Sequence, residues 1–180
     1  MVSVKCLASG SAGNSYAVDD GKSVLLLEAG IRKRTILAGY MDLLMRVQGC
    51  LITHEHQDHA KAALGLPMAG IDVYASGGTF SALNAEKDRR NYRLHSIKAG
   101  EQFTLGTWTV LPWEAQHDAA EPLGFLLHSK ETRDKLIFAT DTYFIPNTFR
   151  GLTYIMVECN YDRTLLDRNI SAGSVPESLR

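Results

Sequence analysis

Residues 53–59 read Thr-His-Glu-His-Gln-Asp-His and hold three of the six histidines of the chain. Packing does not explain this density, because histidine is only intermediately buried in folded proteins and neighbouring imidazolium groups repel one another. Imidazole and carboxylate together form the ligand set of zinc and of neighbours such as Mn, Fe and Co. A solvent-exposed histidine-rich loop is the alternative. The pattern favours a metal site.

The flanking segments place this cluster on a loop between a strand and a helix. Residues 49–53 form a short apolar run typical of a buried strand, and residues 58–65 are helix-forming. Side chains one residue apart on a helix diverge by about 100°, so a single helix could not direct four of them at one ion. A loop can divide them between two ions, as the pairs His54 with His56 and Asp58 with His59. The spacing predicts a two-metal site.

The elements that would position these residues are short strands joined largely by tight turns. Strands are predicted at residues 2–7, 15–18, 23–27, 72–75, 93–97, 101–105, 107–113, 124–129, 135–140 and 152–157. An amphipathic helix is predicted over 32–47, with a buried side of Ile36, Leu37, Leu43, Leu44 and Val47. A second helix over 76–87 would be capped by Ser76. A plain doubly wound sheet would need a helix between most strands, so two facing sheets with helices outside fit better.

The order H-x-H-x-D-H after an apolar strand resembles the signature of the metallo-β-lactamase fold superfamily. The resemblance covers nearly the whole chain, in segments that follow the order of the family: residues 7–16, 25–30, 117–124, 139–142 and 158–162. These segments are most similar to a small bacterial and phage branch of single-domain hydrolases that includes a DNA exonuclease. The resemblance implies an α/β (α+β) fold, a four-layer αβ/βα sandwich with its site at one edge.

The resemblance also implies roles for individual residues. The first metal would be bound by His54, His56 and His117. The second would be bound by Asp58 and His59, and Asp141 would bridge both ions. Asp58 is also the candidate for orienting the attacking water or handling its proton, and a pure ligand role for it stays equally open. Supporting contacts from behind the ligands are assigned to Glu28, Thr53 and Thr140.

Two departures from the family pattern affect this site. Glu28 stands where the family usually has Asp, and no histidine follows His128, so the last metal ligand of the family is absent. We expect two divalent ions, zinc first with Mn or Fe acceptable, and a second position that is weak or empty. Residues 174–177 have the spacing of a capping box, which begins a helix close to the last residue. The expectation is one domain, residues 1–180, cut before its C-terminal strand and helix; the alternative is a natural frayed tail.

Composition limits the possible partners and compartments of the protein. The chain has 180 residues, 45% of them hydrophobic, and a formal net charge of −1, so no global positive field would hold nucleic acid. The three cysteines, Cys6, Cys50 and Cys159, are predicted to be reduced and buried, which fits a reducing cytoplasm. The N-terminus lacks the apolar stretch of a signal peptide, and no segment approaches the ~20 apolar residues of a membrane span.

Three function classes follow from these residues. The favoured one is a hydrolase that uses hydroxide held between two metals to cleave a DNA or RNA phosphodiester. The alternatives are a small-molecule hydrolase acting on a lactone, thioester or cyclic phosphate, and a non-catalytic member. Candidate phosphate contacts are the basic clusters 32–34 and 87–93 and the Gly-rich loop 10–14, and candidate stacking residues are Tyr92, Tyr143 and Phe144. Each has a plainer interpretation as a solvated surface, a tight loop or packing.

Overall fold

Two β-sheets form the centre of the protein. The computed structural model describes residues 1–85, 91–158 and 163–174. The strands of the first sheet are β1 (Ser3–Ala8), β2 (Ser15–Asp19), β3 (Val24–Leu27), β4 (Val47–Leu51), β5 (Val73–Ala75) and β6 (Leu94–Ser96). The strands of the second are β7 (Phe103–Leu105), β8 (Trp108–Glu114), β9 (Leu123–Ser129), β10 (Lys135–Ala139) and β11 (Tyr154–Val157).

The helices are short and lie between strands or after the last one. They are α1 (Lys33–Gly39), α2 (Gln57–Ala60), α3 (Gly77–Ala82) and α4 (Arg163–Ser171), with 3₁₀ turns at Leu44–Arg46, Ala63–Ala69 and Asn91–Arg93. Helix α3 begins as predicted, because the Ser76 side chain accepts a hydrogen bond from the Thr79 N–H. None of the described helices is long and apolar enough to cross a membrane.

Strand order brings the ends of the central strands to one edge. The first sheet runs β1-β2-β3-β4-β5-β6 and the second β11-β10-β9-β8-β7. Strands β3 to β6 are parallel, and β10 pairs in parallel with β11. The four residues of β3 are all buried, as expected for a central strand covered on both faces. Loops that follow β3, β4 and β10 therefore meet at the same edge of the sandwich.

Three apolar clusters hold these layers together. One lies between the sheets and contains Trp108, Phe125 and Phe138. Another fills the space between the first sheet and its covering helices, around Ile36 and Tyr40. A smaller cluster on the outer face of the second sheet is covered by the segment 145–152. The predicted mixed α/β architecture with two facing sheets is confirmed.

One predicted helix is wrong. Residues 32–47 do not form a continuous helix: α1 ends at Gly39, and Val47 already belongs to β4, where it pairs with β3. Glycine is a weak helix former, and a Cβ at Gly39 would press on the side chain of Leu7, 2.5 Å away. The predicted apolar side still packs in one core: Ile36, Leu37, Leu43, Leu44 and Val47. Burial followed the hydrophobic pattern although the helix did not.

The predicted thiols differ in exposure. Cys50 is buried and free as expected, whereas Cys6 is exposed because β1 is an edge strand whose outer residues face solvent. The third cysteine lies outside the described residues, as do most of the capping box at 174–177 and positions 87–90 of the second basic cluster.

Candidate metal centre

The histidine loop is fixed at the carboxyl end of β4 by close backbone contacts. The Asn14 N–H donates to the Asp58 carbonyl over 2.7 Å, and the Ala29 N–H donates to the His59 carbonyl, also over 2.7 Å. Gly30 lies so near the Asp58 carbonyl that a Cβ there would overlap it. Two segments distant in sequence thus fix the path of this loop, which turns into α2 at Gln57.

Three predicted imidazoles converge at the mouth of the site. His56 Nδ1 lies 3.1 Å from His54 Nε2 and 3.1 Å from His117 Nε2. One nitrogen from each ring lies close enough to the other two for all three to bind a single metal ion. His54 is buried and His56 exposed, so the group extends from the protein interior to the surface. The loop after β8 supplies His117, a residue that the family resemblance implied as a ligand.

A second group shares His54 with the first. His59 Nε2 lies 2.8 Å from Asp141 Oδ2, which is 3.5 Å from His54 Nε2 and 4.0 Å from His117 Nε2. The candidate set for a second ion is therefore His54, His59 and Asp141. Asp58 lies beside it, with Oδ2 3.4 Å from His59 Nε2. Sequence reasoning assigned His54 to the first ion alone, whereas the geometry places it between both groups.

The residues assigned as supports lie behind the ligands. Thr53 Oγ1 is 2.9 Å from His54 Nδ1, and the Thr53 N–H donates to Glu28 Oε1 over 3.3 Å. Glu28 Oε2 lies 3.7 Å from His59 Nδ1, too far for a hydrogen bond, and both atoms are buried without a hydrogen-bond partner. Glu28 adopts φ +64°, a left-handed conformation that residues with a Cβ rarely adopt. The Thr140 hydroxyl is buried and makes no hydrogen bond.

Asp141 is held in a constrained conformation just after β10. Its φ is +46°, and its N–H donates to Glu158 Oε2 over 3.2 Å. The two carboxyl groups interact, since the carboxylate of Asp141, together with burial, raises the pKa of Glu158. Hydrogen bonding to His59 holds the pKa of Asp141 well below its usual range against the effect of burial. Asp141 therefore remains a carboxylate directed at the histidines.

Burial and the neighbouring charges separate the two central histidines. Burial, reinforced by the adjacent imidazoles, lowers the pKa of His54 to about 3, so the ring stays neutral and its nitrogen is free to bind a cation. Burial alone would lower the pKa of His59, but the carboxylates of Asp141 and Glu28 raise it to about 10. The carboxylates therefore attract a positive charge to the second group.

The residues present fit divalent cations. His56 Nδ1 lies 3.1 Å from two other ring nitrogens, but it has only one lone pair or one N–H and can make a good hydrogen bond to only one of them. The second group combines a carboxylate with two imidazoles and already draws positive charge to His59. Nitrogen and oxygen donors of this kind suit zinc, with Mn or Fe accommodated by mixed sets.

Sequence reasoning missed three residues that shape the site. Asn14 Nδ2 lies 3.3 Å from both the Asp58 carbonyl and His59 Nε2. Glu55, inside the histidine cluster, accepts from the Ala120 N–H over 2.8 Å and so holds the loop that carries His117. Glu158 contacts the backbone of Asp141. Spacing gave no signal for these contacts, since each joins segments that only the fold brings together.

The candidate phosphate contacts lie at different distances from the metal edge. Residues 32–34 follow Gly30 at the metal edge, and Arg32 and Arg34 are exposed. Arg93 precedes parallel strand β6, so it lies at the opposite end of the sheet and pairs with Asp72 over 3.1 Å. In the loop 10–14, the N–H groups of Gly10, Gly13 and Asn14 all donate within the protein. That supports a tight loop rather than a phosphate cradle.

Comparison with known proteins identifies the family. A family model described as a beta-lactamase superfamily domain matches residues 27–169. An exodeoxyribonuclease, YycJ, of Bacillus anthracis is 31% identical over 174 residues, covering 89% of this chain and 63% of that protein. The exodeoxyribonuclease WalJ of Streptococcus pneumoniae is 28% identical over 171 residues with the same shares. The chain thus spans less than two thirds of the length of these relatives.

Solved structures support the same fold at low sequence identity. A metallo-beta-lactamase from Cronobacter sakazakii with a mutated HARLDQ motif matches with a TM-score of 0.67 and 13% identity, covering 95% of this chain and 84% of that one. The metallo-beta-lactamase fold protein YhfI from Bacillus subtilis matches with a TM-score of 0.58 and 12% identity, covering 76% and 60%. From the family match and the two-sheet architecture together, we conclude that this chain belongs to the beta-lactamase superfamily, with the metallo-β-lactamase fold.

Proposed function

We propose that the protein is a metal-dependent phosphodiesterase that cleaves DNA or RNA. The observation that carries this proposal is the convergence of four histidines and Asp141 at one edge of the sandwich, in two groups that share His54. Divalent ions bound there would polarise a phosphoryl oxygen and lower the pKa of water. The names of two similar curated relatives, both exodeoxyribonucleases, favour nucleic acid as the substrate.

The proposed roles follow from exposure and contacts. One ion would be held by His54, His56 and His117, and the other by His59 and Asp141 with Asp58 beside them. The Asp58 side chain is 32% exposed, so it faces the space from which substrate and water arrive. We assign to it the orientation of the attacking water, or the acceptance of its proton, in addition to any ligand role. Glu28, Thr53 and Thr140 would position the ligands.

Substrate would approach over the mouth of the site. The exposed Arg32 and Arg34 lie at the same edge and would contact the phosphate backbone. A cleft of about 320 Å³ between the loop 9–14 and β11 borders Thr140 and Glu158. It offers room for part of a nucleotide beside the metal ligands. The free, buried Cys50 fits the cytoplasm as the proposed compartment.

Metal content is the second element of the proposal. We infer that the first ion binds more tightly than the second, because three imidazoles define the first position. The second depends on His59 and Asp141, with Asp58 beside them. Elemental analysis after zinc reconstitution should give about one tightly held ion per chain and a second that dialysis removes. Two equally retained ions would overturn this ranking.

The decisive experiment is a hydrolysis assay on the zinc- and manganese-reconstituted protein. End-labelled single- and double-stranded oligonucleotides would be tested beside bis(4-nitrophenyl) phosphate, a lactone and a thioester. We expect metal-dependent release of nucleotides, with oligonucleotide binding that weakens as salt increases. Turnover of the lactone or thioester alone would replace the proposal with a small-molecule hydrolase. No turnover at full metal loading would indicate a non-catalytic member.

A further inference from the structure

Two large aromatic side chains stand exposed directly after Asp141. Tyr143 is 68% exposed and Phe144 is 58% exposed. Burying an aromatic ring releases much apolar surface from water, so two adjacent exposed rings are unfavourable unless something covers them. Among the described residues, neither ring makes an aromatic stacking contact. Both rings are therefore available to a planar ligand.

Hydrogen bonds fix the backbone that carries these rings. The Tyr143 N–H donates to the Gln116 carbonyl over 2.9 Å, and the Gln116 N–H donates to Thr142 Oγ1, also over 2.9 Å. The Thr142 hydroxyl in turn donates to the Phe144 carbonyl over 2.8 Å. This pattern joins the loop after β10 to the loop after β8. The backbone that carries the rings is therefore held by hydrogen bonds to a neighbouring loop.

The same bonds link the rings to both groups of metal ligands. Tyr143 is two residues from Asp141, a span of at most about 7 Å between Cα atoms. Its partner Gln116 immediately precedes His117. The backbone that carries the exposed rings therefore lies beside the residues proposed to act on the scissile phosphate.

We propose that Tyr143 and Phe144 form a stacking surface for an unpaired nucleobase next to the scissile phosphate. The inference rests on the proposed nucleic-acid function and adds a substrate preference to it. Every nucleobase has a π face, so stacking on these rings would be tolerant of sequence. A base held inside a duplex has no free face, so the surface selects single-stranded or frayed ends. Tyr143 and Phe144 are positioning residues that hold the substrate and leave the chemistry to the metal site.

Alanine and conservative variants separate stacking from structure. Tyr143→Ala and Phe144→Ala should each raise the KM for a single-stranded oligonucleotide by about 5- to 150-fold, the range expected for loss of one base–aromatic stack. Tyr143→Phe keeps the ring and should retain the wild-type KM. The kcat for the same oligonucleotide should stay near the wild-type value in all three, because the rings hold the substrate and do not take part in the chemistry. Tyr92→Ala, which removes an exposed ring at the opposite end of the sheet, is the matched control.

A binding readout keeps the inference distinct from the activity. An oligonucleotide carrying 2-aminopurine at its end should lose fluorescence on binding to the wild type and to Tyr143→Phe, but not to the double alanine variant. If the wild type hydrolyses no phosphodiester, the proposed function fails while quenching still tests stacking. If the wild type is active and the alanine variants keep its KM and quenching, the stacking surface is wrong and the proposed function survives.

Discussion

The two ends of the sandwich both bury polar groups, but only one end satisfies them internally. At the end where β3 begins, Asp20 is 4% exposed and accepts four hydrogen bonds. Oδ1 accepts from the N–H groups of Lys22 and Ser23, and Oδ2 accepts from the hydroxyls of Thr107 and Ser129. These bonds join the turns of both sheets. This cluster needs no external ligand.

At the other end, where β3, β4 and β10 finish, the polar groups converge without saturating one another. His59 Nδ1 and Glu28 Oε2 are buried without hydrogen-bond partners, and His56 Nδ1 faces two other ring nitrogens. Burying a polar group without a hydrogen-bond partner destabilises the folded protein. The comparison shows that a carboxylate with all its hydrogen bonds made inside the protein joins the two sheets. Converging ligand atoms that lack such partners form a site for a cation.

The largest effect is expected from the histidine that both groups share. Replacing His54 with Ala removes a ligand of the first proposed ion and the imidazole that borders the second group, so metal-dependent hydrolysis should fall by more than about 1000-fold, roughly 4 kcal/mol of activation free energy. His56→Ala, at the exposed mouth, should cause a comparable loss without disturbing the core. Steady-state kinetics and elemental analysis would measure both changes.

The control for these variants is His128→Ala, a histidine of β9 outside the site. It should keep both its metal and its rate. Full activity in His54→Ala would contradict the assignment of the shared ligand.

At the closed end, the expected loss is of stability and not of metal. Asp20→Asn places an amide N–H₂ against the hydroxyls of Thr107 and Ser129, and Ser129 Oγ already accepts two backbone N–H groups. The free energy of unfolding should fall by about 1.5–3 kcal/mol, the range typical of a hydrogen bond to a charged group. Urea denaturation measures it. Asp42→Asn, at an exposed ion pair with Lys5, should leave stability unchanged within error. Loss of metal from folded Asp20→Asn would break the contrast between the two ends.

A smaller effect is expected behind the second group. Glu28→Gln keeps the acceptor for the Thr53 N–H but removes the charge that faces His59 Nδ1. Affinity for the second ion should fall by about 10- to 100-fold, as is typical when a group that orients a metal ligand is lost, while the first ion stays bound. Competitive titration with a chelating dye resolves the two. Glu28→Asp restores the charge and should recover much of the affinity; an equal loss of both ions would show that Glu28 serves the whole loop.

The smallest effect concerns the stability of the protein at low pH. Burial alone would raise the pKa of Asp20, but its hydrogen bonds from Ser23, Thr107, Lys22 and Ser129 outweigh burial and lower it. A lowered pKa contributes stability that is present above the unfolded value of about 3.9 and is lost as the pH falls through the folded value. The stability difference between wild type and Asp20→Asn should therefore be constant near pH 6 and shrink below about pH 4. A stability difference that stays constant down to pH 3 would show that the lowered pKa of Asp20 is not its cause.

The sequence predicted much of this protein because its strongest signals are local. Alternation and apolar runs located the strands to within a few residues, and the capping serine of α3 was read correctly. The long helix over 32–47 failed because Gly39 packs against β1 and Val47 pairs with β3, and both contacts are made by residues distant in sequence. Burial of Ile36 and Leu43 was still predicted, since hydrophobicity requires it in either backbone conformation.

Residue types and spacing by themselves indicated the histidines and Asp58 of residues 54–59 as candidate metal ligands, and the family resemblance added His117 and Asp141. Only the tertiary structure decided that His54 lies between both groups and that Asn14, Glu55 and Glu158 hold them. It also separated the two polar ends of the sandwich. The reason is physical, since a donor's chemistry belongs to the residue, whereas its partners depend on which distant strands end at the same edge.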